Sequence, residues 1–184
     1  KYQKVFHEVL LRVAEVGDIP IPRTVKQAMS NEHWPLFKLA MEEEIDGKMK
    51  NQAWQVVRRP TGVHVLGGRW VYTVKYQDDG SIARVKARYV AKGFTQVQGD
   101  DYNEIFAPTL PGISFRLLCA IIADEDLDTD HMDAIKAFTQ ANVDAVLYCD
   151  MPEGFDEPGY VLRLAKALEG IKQGAALWYK HNRT

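Results

Sequence analysis

The feature that most constrains the fold is the segment RWVYTVKYQDDGSIARVKARYVAKG, residues 69–93. Two runs with high strand propensity flank Asp79-Gly80, a dipeptide typical of a two-residue β-hairpin turn. The register set by that turn places apolar or aromatic pairs on one face: Trp70–Tyr89, Tyr72–Ala87, Val74–Val85 and Tyr76–Ala83. Because side chains alternate along a strand, this face is predicted to lie on a hydrophobic core.

The opposite face of the predicted hairpin is mostly basic, with the pairs Lys75–Arg84, Thr73–Lys86 and Val71–Arg88. Like charges directly opposite each other are unfavourable. Solvated faces usually mix both signs of charge. An ordinary solvated face and a phosphate-binding face are both compatible with this pattern.

Apolar periodicity predicts helices on both sides of the hairpin. A helix is expected over residues 2–16, ending at Gly17 before a proline-containing connector at 18–23. Thr24 and Gln27 form a capping-box pattern, and a second amphipathic helix is expected to end near Asn51. Ser114 is expected to cap a helix through Glu125 whose face towards the core contains Leu117, Leu118, Ile121 and Ile122. Strands are predicted at 54–57, 146–155 and 160–168, a strand passing into a turn at 127–138, and a loop entering a helix at 170–181.

Composition and charge exclude several classes of protein. The chain has 184 residues, is 46% hydrophobic and has a net charge of -2, which excludes a disordered or uniformly basic protein. Residues 101–160 hold 13 acidic and 2 basic side chains, flanked by basic segments. This pattern is compatible with a site that gathers cations in the middle and phosphates at its edges, and also with an ordinary solvated acidic face. Two cysteines and no signal-peptide pattern predict an intracellular, cytoplasmic protein, and no apolar run is long enough for a membrane span.

Most familiar catalytic motifs are absent from the sequence. The acidic run at 124–133 lacks the glycine and the closing glutamate of a calcium loop, and the five histidines have no zinc spacing. Nucleophile-elbow, P-loop and dinucleotide motifs are missing. One candidate is left, Asp133 at the end of a predicted strand, with Phe138 five residues later.

Five segments in order give a more specific signal: AMEEEIDGKMKNQAWQVVRRP, GRWVYTVKYQDDGSIARVKARYVAKGFTQVQGDDYNEIFAPT, HMDAIKAF, LYCDMPEGF and LEGIKQGAALWY. Together they resemble the reverse transcriptase of copia-type LTR retrotransposons. The resemblance implies an α+β fold, with polymerase right-hand fingers, a partial ferredoxin-like palm, and an antiparallel sheet with flanking helices. The implied regions are an N-terminal helix and linker (1–22), a fingers-like region (23–112) with the basic hairpin at 69–92, and a partial palm with a returning fingers segment (113–184).

The implied chemistry is phosphoryl transfer from a deoxynucleoside triphosphate to a primer 3′ hydroxyl on an RNA or DNA template. Asp133 resembles the first catalytic carboxylate, which would bind Mg²⁺ or Mn²⁺ together with carboxylates that this sequence lacks. Phe138 resembles the aromatic gate against a ribose 2′ hydroxyl, and core packing is the alternative role for its ring. The resemblance assigns further residues to the nucleotide (Lys86, Arg88, Gln173) and to nucleic acid (Lys75, Arg84, Lys92, Gly170, Lys172). The parent element would assemble in a cytoplasmic virus-like particle.

The sequence also departs from the family pattern. Gly174-Ala175-Ala176 stands where an Ala-Pro-Arg run is usual, and the pair of adjacent aspartates that forms the second carboxylate motif is expected beyond Thr184. Polymerisation by this chain alone is therefore not expected. The alternative function is a truncated or co-opted, non-catalytic module that binds nucleic acid or protein.

Overall fold

The computed structural model describes residues 2, 19–130 and 132–183, and these form an α+β fold. The predicted α+β class is confirmed. The helix predicted at 2–16 lies outside the described residues, apart from Tyr2. The described helices are α1 (Val25–Met29), α2 (Trp34–Lys50), α3 (Gly112–Asp124) and α4 (Gly174–His181). The described strands are β1 (Trp54–Arg58), β2 (Val65–Leu66), β3 (Gly68–Tyr76), β4 (Ile82–Ala91), β5 (Tyr148–Cys149) and β6 (Tyr160–Leu164).

Strands β3 and β4 form the predicted hairpin, with a different tip. The register from Trp70–Tyr89 to Lys75–Arg84 is as predicted, but Tyr76 pairs with Ile82 rather than Ala83. The loop holds three residues, 78–80, because the Gln77 carbonyl accepts from Gly80 N–H and Gly80 has φ +82°. Three-residue hairpin loops of this kind are common. The irregularity at Ala83 shifts the register back by one residue, so the longer loop leaves the rest of the pairing unchanged.

The apolar face of the hairpin is buried, as predicted. Its aromatic side chains contact one another, with ring centroids 5.5 Å apart for Trp70 and Tyr89 and 6.4 Å apart for Trp70 and Tyr72. Helix α2 packs on this face through Phe37, whose ring meets Tyr72 edge-on at 5.4 Å. The predicted core position of Tyr76 is wrong, since the bulge leaves this residue 38% exposed.

Strands β1, β6, β5 and β2 form a second sheet, in that order. Its β1–β6 and β6–β5 pairs are antiparallel, but β2 and β5 run parallel. The expected antiparallel sheet is thus replaced by a mixed sheet beside an antiparallel hairpin. Tyr89 joins the two, since its ring meets Trp54 of β1 edge-on at 6.3 Å and its hydroxyl donates to Asp150 O at 2.7 Å.

Two glycines allow the segment after β6 to approach the end of β4. Gly170 has φ +93°, and a Cβ atom there would collide with the Ala91 carbonyl oxygen. A Cβ atom on Gly93 would collide with the Gly170 carbonyl oxygen. Ala91 N–H donates to Glu169 O at 2.8 Å, so backbone hydrogen bonding also fixes this junction.

The region between residues 103 and 136 differs from the prediction. Helix α3 is present, but Pro111 occupies its N-cap position and Ser114 lies inside the helix. None of its residues is buried, so the expected contact of its apolar face with the core is absent from the described structure. The strand predicted at 127–138 is also wrong, because the described residues there form an irregular segment followed by a 3-10 turn at Ala137–Gln140.

Candidate nucleotide and nucleic-acid site

A cleft of about 460 Å³ lies between strand β4, helix α2 and the segment 133–138. It brings together five of the residues that the sequence singled out: Arg84, Lys86, Arg88, Asp133 and Phe138. Lys136 also lines it, as do carboxylates of α2 and of the segment after β6. Strand alternation places the three hairpin cations on one face, and the 3-10 turn places Phe138 beside them.

The carboxylates of α2 and of the β6–α4 segment are paired with cations. Glu43 accepts from Arg84 Nη2 at 2.7 Å. Lys48, which has no exposed surface, lies 3.4 Å from a carboxylate oxygen of Glu44 and forms a short ion pair with Glu169. Buried charges are stable only when they are paired in this way.

The remaining charges in the cleft are mostly positive. Within the described part of the chain, Lys86, Arg88 and Lys136 line the cleft without an ion pair to any carboxylate. Asp133 also lines it without an ion-pair partner among those residues. The unpaired charge of the cleft is therefore a group of cations beside one carboxylate, which suits a polyanionic ligand.

The cations of the cleft affect one another. Partial burial, together with the nearby charges of Arg88 and Arg84, lowers the pKa of Lys86 below its usual value, although Glu44 opposes this shift. Neighbouring positive charges destabilise the protonated form of a lysine. Clusters of like charge of this kind are common at ligand-binding sites. An anion bound in the cleft would relieve this repulsion.

The metal expectation rests on Asp133, whose carboxylate is exposed. Among the described residues, no group of three or more His, Cys, Asp or Glu side chains is placed to hold a metal ion. A pair of catalytic metal ions needs several carboxylate ligands. The described residues by themselves therefore do not fit the Mg²⁺ or Mn²⁺ site that the resemblance implies.

Phe138 is half-buried and packs against the core beside the start of α4. The ring lies close to Gly174: a Cβ atom built on this glycine would be 3.4 Å from Phe138 Cδ1, which is van der Waals contact. Thr139 is fully buried and its hydroxyl donates to Lys136 O at 2.9 Å. This small turn holds Phe138 at the wall of the cleft while its ring still contacts the core.

Gln173 is placed differently from the residues above. It has no exposed surface, its Oε1 accepts from Gln96 Nε2 at 3.0 Å, and its Nε2 donates to Asp101 O at 2.8 Å. Lys172 donates through Nζ to Tyr102 Oη at 3.1 Å. Both residues thus hold the loop after β4 against the loop before α4, and neither lines the cleft.

The other predicted nucleic-acid contacts lie around this region. Lys75 is exposed on β3 opposite Arg84, outside the cleft lining. Lys92 lies at the end of β4, where its N–H donates to Gly67 O at 2.8 Å. Gly170 lies against the Ala91 carbonyl oxygen, in the close backbone contact described above. The structure therefore brings Arg84, Lys86, Arg88, Asp133 and Phe138 together and leaves Lys75, Lys92, Gly170, Lys172 and Gln173 outside the cleft lining.

Sequence reasoning missed two lysines: Lys136, which lines the cleft, and Lys48, which lies outside its lining and pairs with the cleft carboxylates Glu44 and Glu169. Lys136 has a left-handed backbone with φ +54°, and no local pattern predicts that conformation for lysine. Lys48 stands among the apolar positions of α2, at the same helical spacing as Met41 and Glu44, and this unusual position was the available signal.

Comparison with known proteins is consistent with the chemistry of the cleft. The family model of reverse transcriptase (RNA-dependent DNA polymerase) matches residues 51–183. The chain is 39% identical over 167 residues to the Retrovirus-related Pol polyprotein from transposon RE2 of Arabidopsis thaliana, and 34% identical over 167 residues to that from transposon TNT 1-94 of Nicotiana tabacum. Each match covers 89% of this chain, but only 11% and 13% of the respective polyprotein.

A shorter relative is the uncharacterized mitochondrial protein AtMg00820 of Arabidopsis thaliana, 35% identical over 97 residues, which are 53% of this chain and 55% of that protein. No solved structure matches the chain. No helix in the described part of the chain combines the length and apolar character of a membrane span. The family match and the two polyproteins confirm the resemblance found in the sequence: this chain belongs to the reverse transcriptase family of copia-type retrotransposons.

Proposed function

We propose that this chain is the part of a reverse transcriptase that holds the incoming deoxynucleoside triphosphate and the backbone of an RNA or DNA template–primer. In this proposal, residues 23–112 are the fingers of a right-hand polymerase and residues 113–184 include the first part of its palm. The observation that carries the proposal is the cleft in which Lys86, Arg88, Asp133 and Phe138 meet.

The charge pattern of the cleft supports a triphosphate ligand. Carboxylates on two of its walls are neutralised by Arg84 and Lys48, so they do not offset the unpaired cations. Charge-assisted hydrogen bonds from lysine and arginine to phosphate oxygens are stronger than neutral ones. A cleft with partly desolvated cations also raises the local concentration of anions.

Phe138 is proposed as the residue that rejects a ribose 2′ hydroxyl. Its half-buried ring lies at the wall of the same cleft and is held by core contacts and by the Thr139 turn. A rigid aromatic wall discriminates by steric exclusion, which does not need a hydrogen bond to the sugar. Gln173 is proposed to act by positioning the loops beside the cleft, since both polar ends of its amide are engaged.

The chain alone is proposed to bind its ligands without extending a primer. Asp133 is the one unpaired carboxylate among the described cleft residues, and the described chain offers no cluster of metal ligands. Manganese-dependent primer extension by the pure chain, abolished in Asp133→Asn, would contradict this part of the proposal.

Binding of single-stranded DNA at increasing salt tests the nucleic-acid part. Lys75, Lys86 and Arg88 lie on the basic face of the hairpin without ion pairs among the described residues. About three phosphate contacts predict a log–log salt slope near 2, at about 0.7 per phosphate. Fluorescence anisotropy should show that Lys86→Ala/Arg88→Ala lowers both the affinity and the slope.

The matched control for that experiment is Arg163→Ala. Arg163 is exposed on β6, outside the cleft, and pairs with Gln55 of β1. An equal loss of affinity in the control, or a salt slope unchanged in the double variant, would leave the basic face as an ordinary solvated surface.

The second candidate function is a non-catalytic binding module. The observation that favours it is the uncovered apolar face of α3, where Leu117 is 62% and Ile113 78% exposed. Large exposed apolar patches mark interaction sites. Retained triphosphate binding would favour the polymerase, because a module that binds protein through α3 has no need of the cleft.

A further inference from the structure

We propose that Lys136 is a phosphate-binding residue of the cleft. It would contact the bound triphosphate from a different chain segment than Lys86 and Arg88. The inference rests on the proposed nucleotide site and adds a binding residue to it. Three independent features of Lys136 carry the argument: its backbone conformation, the space provided for its ammonium group, and the charge around it.

The backbone of Lys136 is held in an unfavourable conformation. Its φ of +54° and ψ of +44° lie in the left-handed region, which is costly for a residue with a Cβ atom. The conformation is fixed by Thr139, whose N–H and hydroxyl both donate to the Lys136 carbonyl, at 3.0 and 2.9 Å. Strain that is held in place by the surrounding structure occurs preferentially at functional sites.

Helix α2 provides room for the ammonium group. A Cβ atom on Gly47 would collide with Lys136 Nζ, so glycine at this position leaves the space that Nζ occupies. The contact lies near the C-terminal end of α2, where a cation is favoured by the helix dipole. A purely structural role at the helix end is therefore the alternative that the experiment has to separate.

The charge around Lys136 favours an anionic ligand. The neighbouring carboxylates Glu43, Glu44 and Glu169 are paired with Arg84 or Lys48. Among the described residues, Lys136 itself forms no ion pair, although it lines the same cleft as Lys86 and Arg88. Cations brought from separate segments to one cleft provide contacts to more than one phosphate group.

The test is calorimetric titration of the full chain with inorganic tripolyphosphate at low salt. The variants are Lys136→Gln, Lys136→Arg, Lys136→Gly, the double variant Lys86→Gln/Arg88→Gln, and Lys50→Gln as the matched control. Lys50 is an exposed lysine in the last turn of α2 and does not line the cleft. Lys136→Gly removes the cation and suits the positive φ, so it keeps the test valid if the glutamine variant folds poorly.

We expect Lys136→Gln and Lys136→Gly to lower the affinity about three- to tenfold, as loss of one charge-assisted contact does. Lys136→Arg should retain affinity within about twofold, and thermal unfolding of Lys136→Gly should occur at or above the wild-type temperature. Affinities of both neutral variants equal to that of Lys50→Gln would overturn the role of Lys136. If Lys86→Gln/Arg88→Gln also had no effect, or the wild type did not bind, the proposed nucleotide site itself would be rejected.

Discussion

The β3–β4 hairpin and helix α3 are both amphipathic, but only the hairpin has a covered apolar face in the described structure. On the hairpin, Trp70, Tyr72 and Tyr89 are at most 5% exposed. On α3, Leu117, Leu118 and Ile121 are 62%, 48% and 42% exposed. Periodicity identifies the apolar face of an element, but burial also depends on a partner surface that lies elsewhere in sequence.

The same contrast extends to charge. Near the hairpin, the carboxylates of Glu43 and Glu169 are paired with cations from other elements, Arg84 and Lys48 respectively. In the segment that follows α3, Asp126, Asp128 and Asp130 are exposed and form no ion pairs among the described residues. Packing of the hairpin against α2 and the second sheet therefore organises both its apolar and its charged side chains.

The reactivity of the two cysteine thiols should show the largest difference between the hairpin region and α3. Cys119 is exposed on α3, whereas Cys149 is buried beside Tyr89, and burial raises its pKa to about 12. At pH 8 such a thiol is about one part in ten thousand thiolate, so Cys119 should react with a disulfide reagent at least about a thousandfold faster. Mass spectrometry of the labelled peptides measures both rates, and labelling in urea should make them similar. Comparable rates in the native protein would contradict the burial of Cys149.

Truncation of an apolar side chain should lower the free energy of unfolding by several kcal/mol more in the hairpin than in α3. Tyr89→Ala should lower the free energy of unfolding by about 3–5 kcal/mol, because the ring contacts Trp54 and Trp70 and its hydroxyl bonds to Asp150 O. Leu117→Ala on α3 should cost less than about 0.5 kcal/mol, as for other exposed positions. Urea denaturation of the two variants makes the comparison. A cost above about 2 kcal/mol for Leu117→Ala would mean that the face of α3 is covered in solution.

The buried ion pairs of Lys48 provide a test based on charge. Lys48→Met should cost about 3 kcal/mol, because the buried carboxylate of Glu44 and the partly buried carboxylate of Glu169 would lose their counter-ion. The triple variant Lys48→Met/Glu44→Gln/Glu169→Gln should recover most of that loss when measured by urea denaturation. A triple variant no more stable than Lys48→Met would show that packing of the lysine stem, rather than charge, stabilises this contact.

Substitution of Lys86 should cause the smallest change in stability among these variants, and it should stabilise the protein rather than destabilise it. Its pKa is lowered by burial and by Arg88 and Arg84, so protonation of Lys86 in the folded state is unfavourable. Between that lowered pKa and the usual value the unfolded chain binds more protons, so the contribution of Lys86 to stability rises with pH in that window. Lys86→Gln should therefore stabilise the protein at pH 7 by less than about 0.5 kcal/mol while weakening phosphate binding.

Thermal unfolding of the wild type and Lys86→Gln at pH 7 and pH 10 measures this effect. The difference between the two proteins should become smaller at pH 10, since wild-type Lys86 is then less protonated. A variant that is less stable than the wild type at pH 7 would show that Lys86 makes favourable packing contacts that outweigh the repulsion.

Much of the local structure could be predicted from sequence. Thr24 caps α1 as expected, with its Oγ1 accepting from Gln27 N–H at 3.1 Å, and α2 ends at Lys50 with Asn51 as its C-cap, close to the expected end. These signals are local, because a cap or a turn depends on residues a few positions apart. Motif order, likewise a property of the chain alone, identified the family that the comparisons confirmed.

The candidate site was predicted only in part. Lys86 and Arg88 could be placed on one face from strand alternation, and Asp133 and Phe138 came from the resemblance to the family. That all four line one cleft depends on how α2 and the 3-10 turn pack beside β4, which no local pattern specifies. The contribution of Lys136 was missed because a left-handed lysine is selected by its contacts with Thr139 and Gly47.

The sequence by itself determined the hairpin register below its tip, the separation of apolar and basic faces, the start of α1, the end of α2 and the family. These depend on the two-residue alternation of strands and on hydrogen bonds between near neighbours. The tertiary structure decided which apolar faces are covered, which carboxylates are neutralised, and which cations are left for a ligand. Those outcomes depend on contacts between residues such as Lys48 and Glu169, 121 positions apart, whose distance is set by the packing of whole elements.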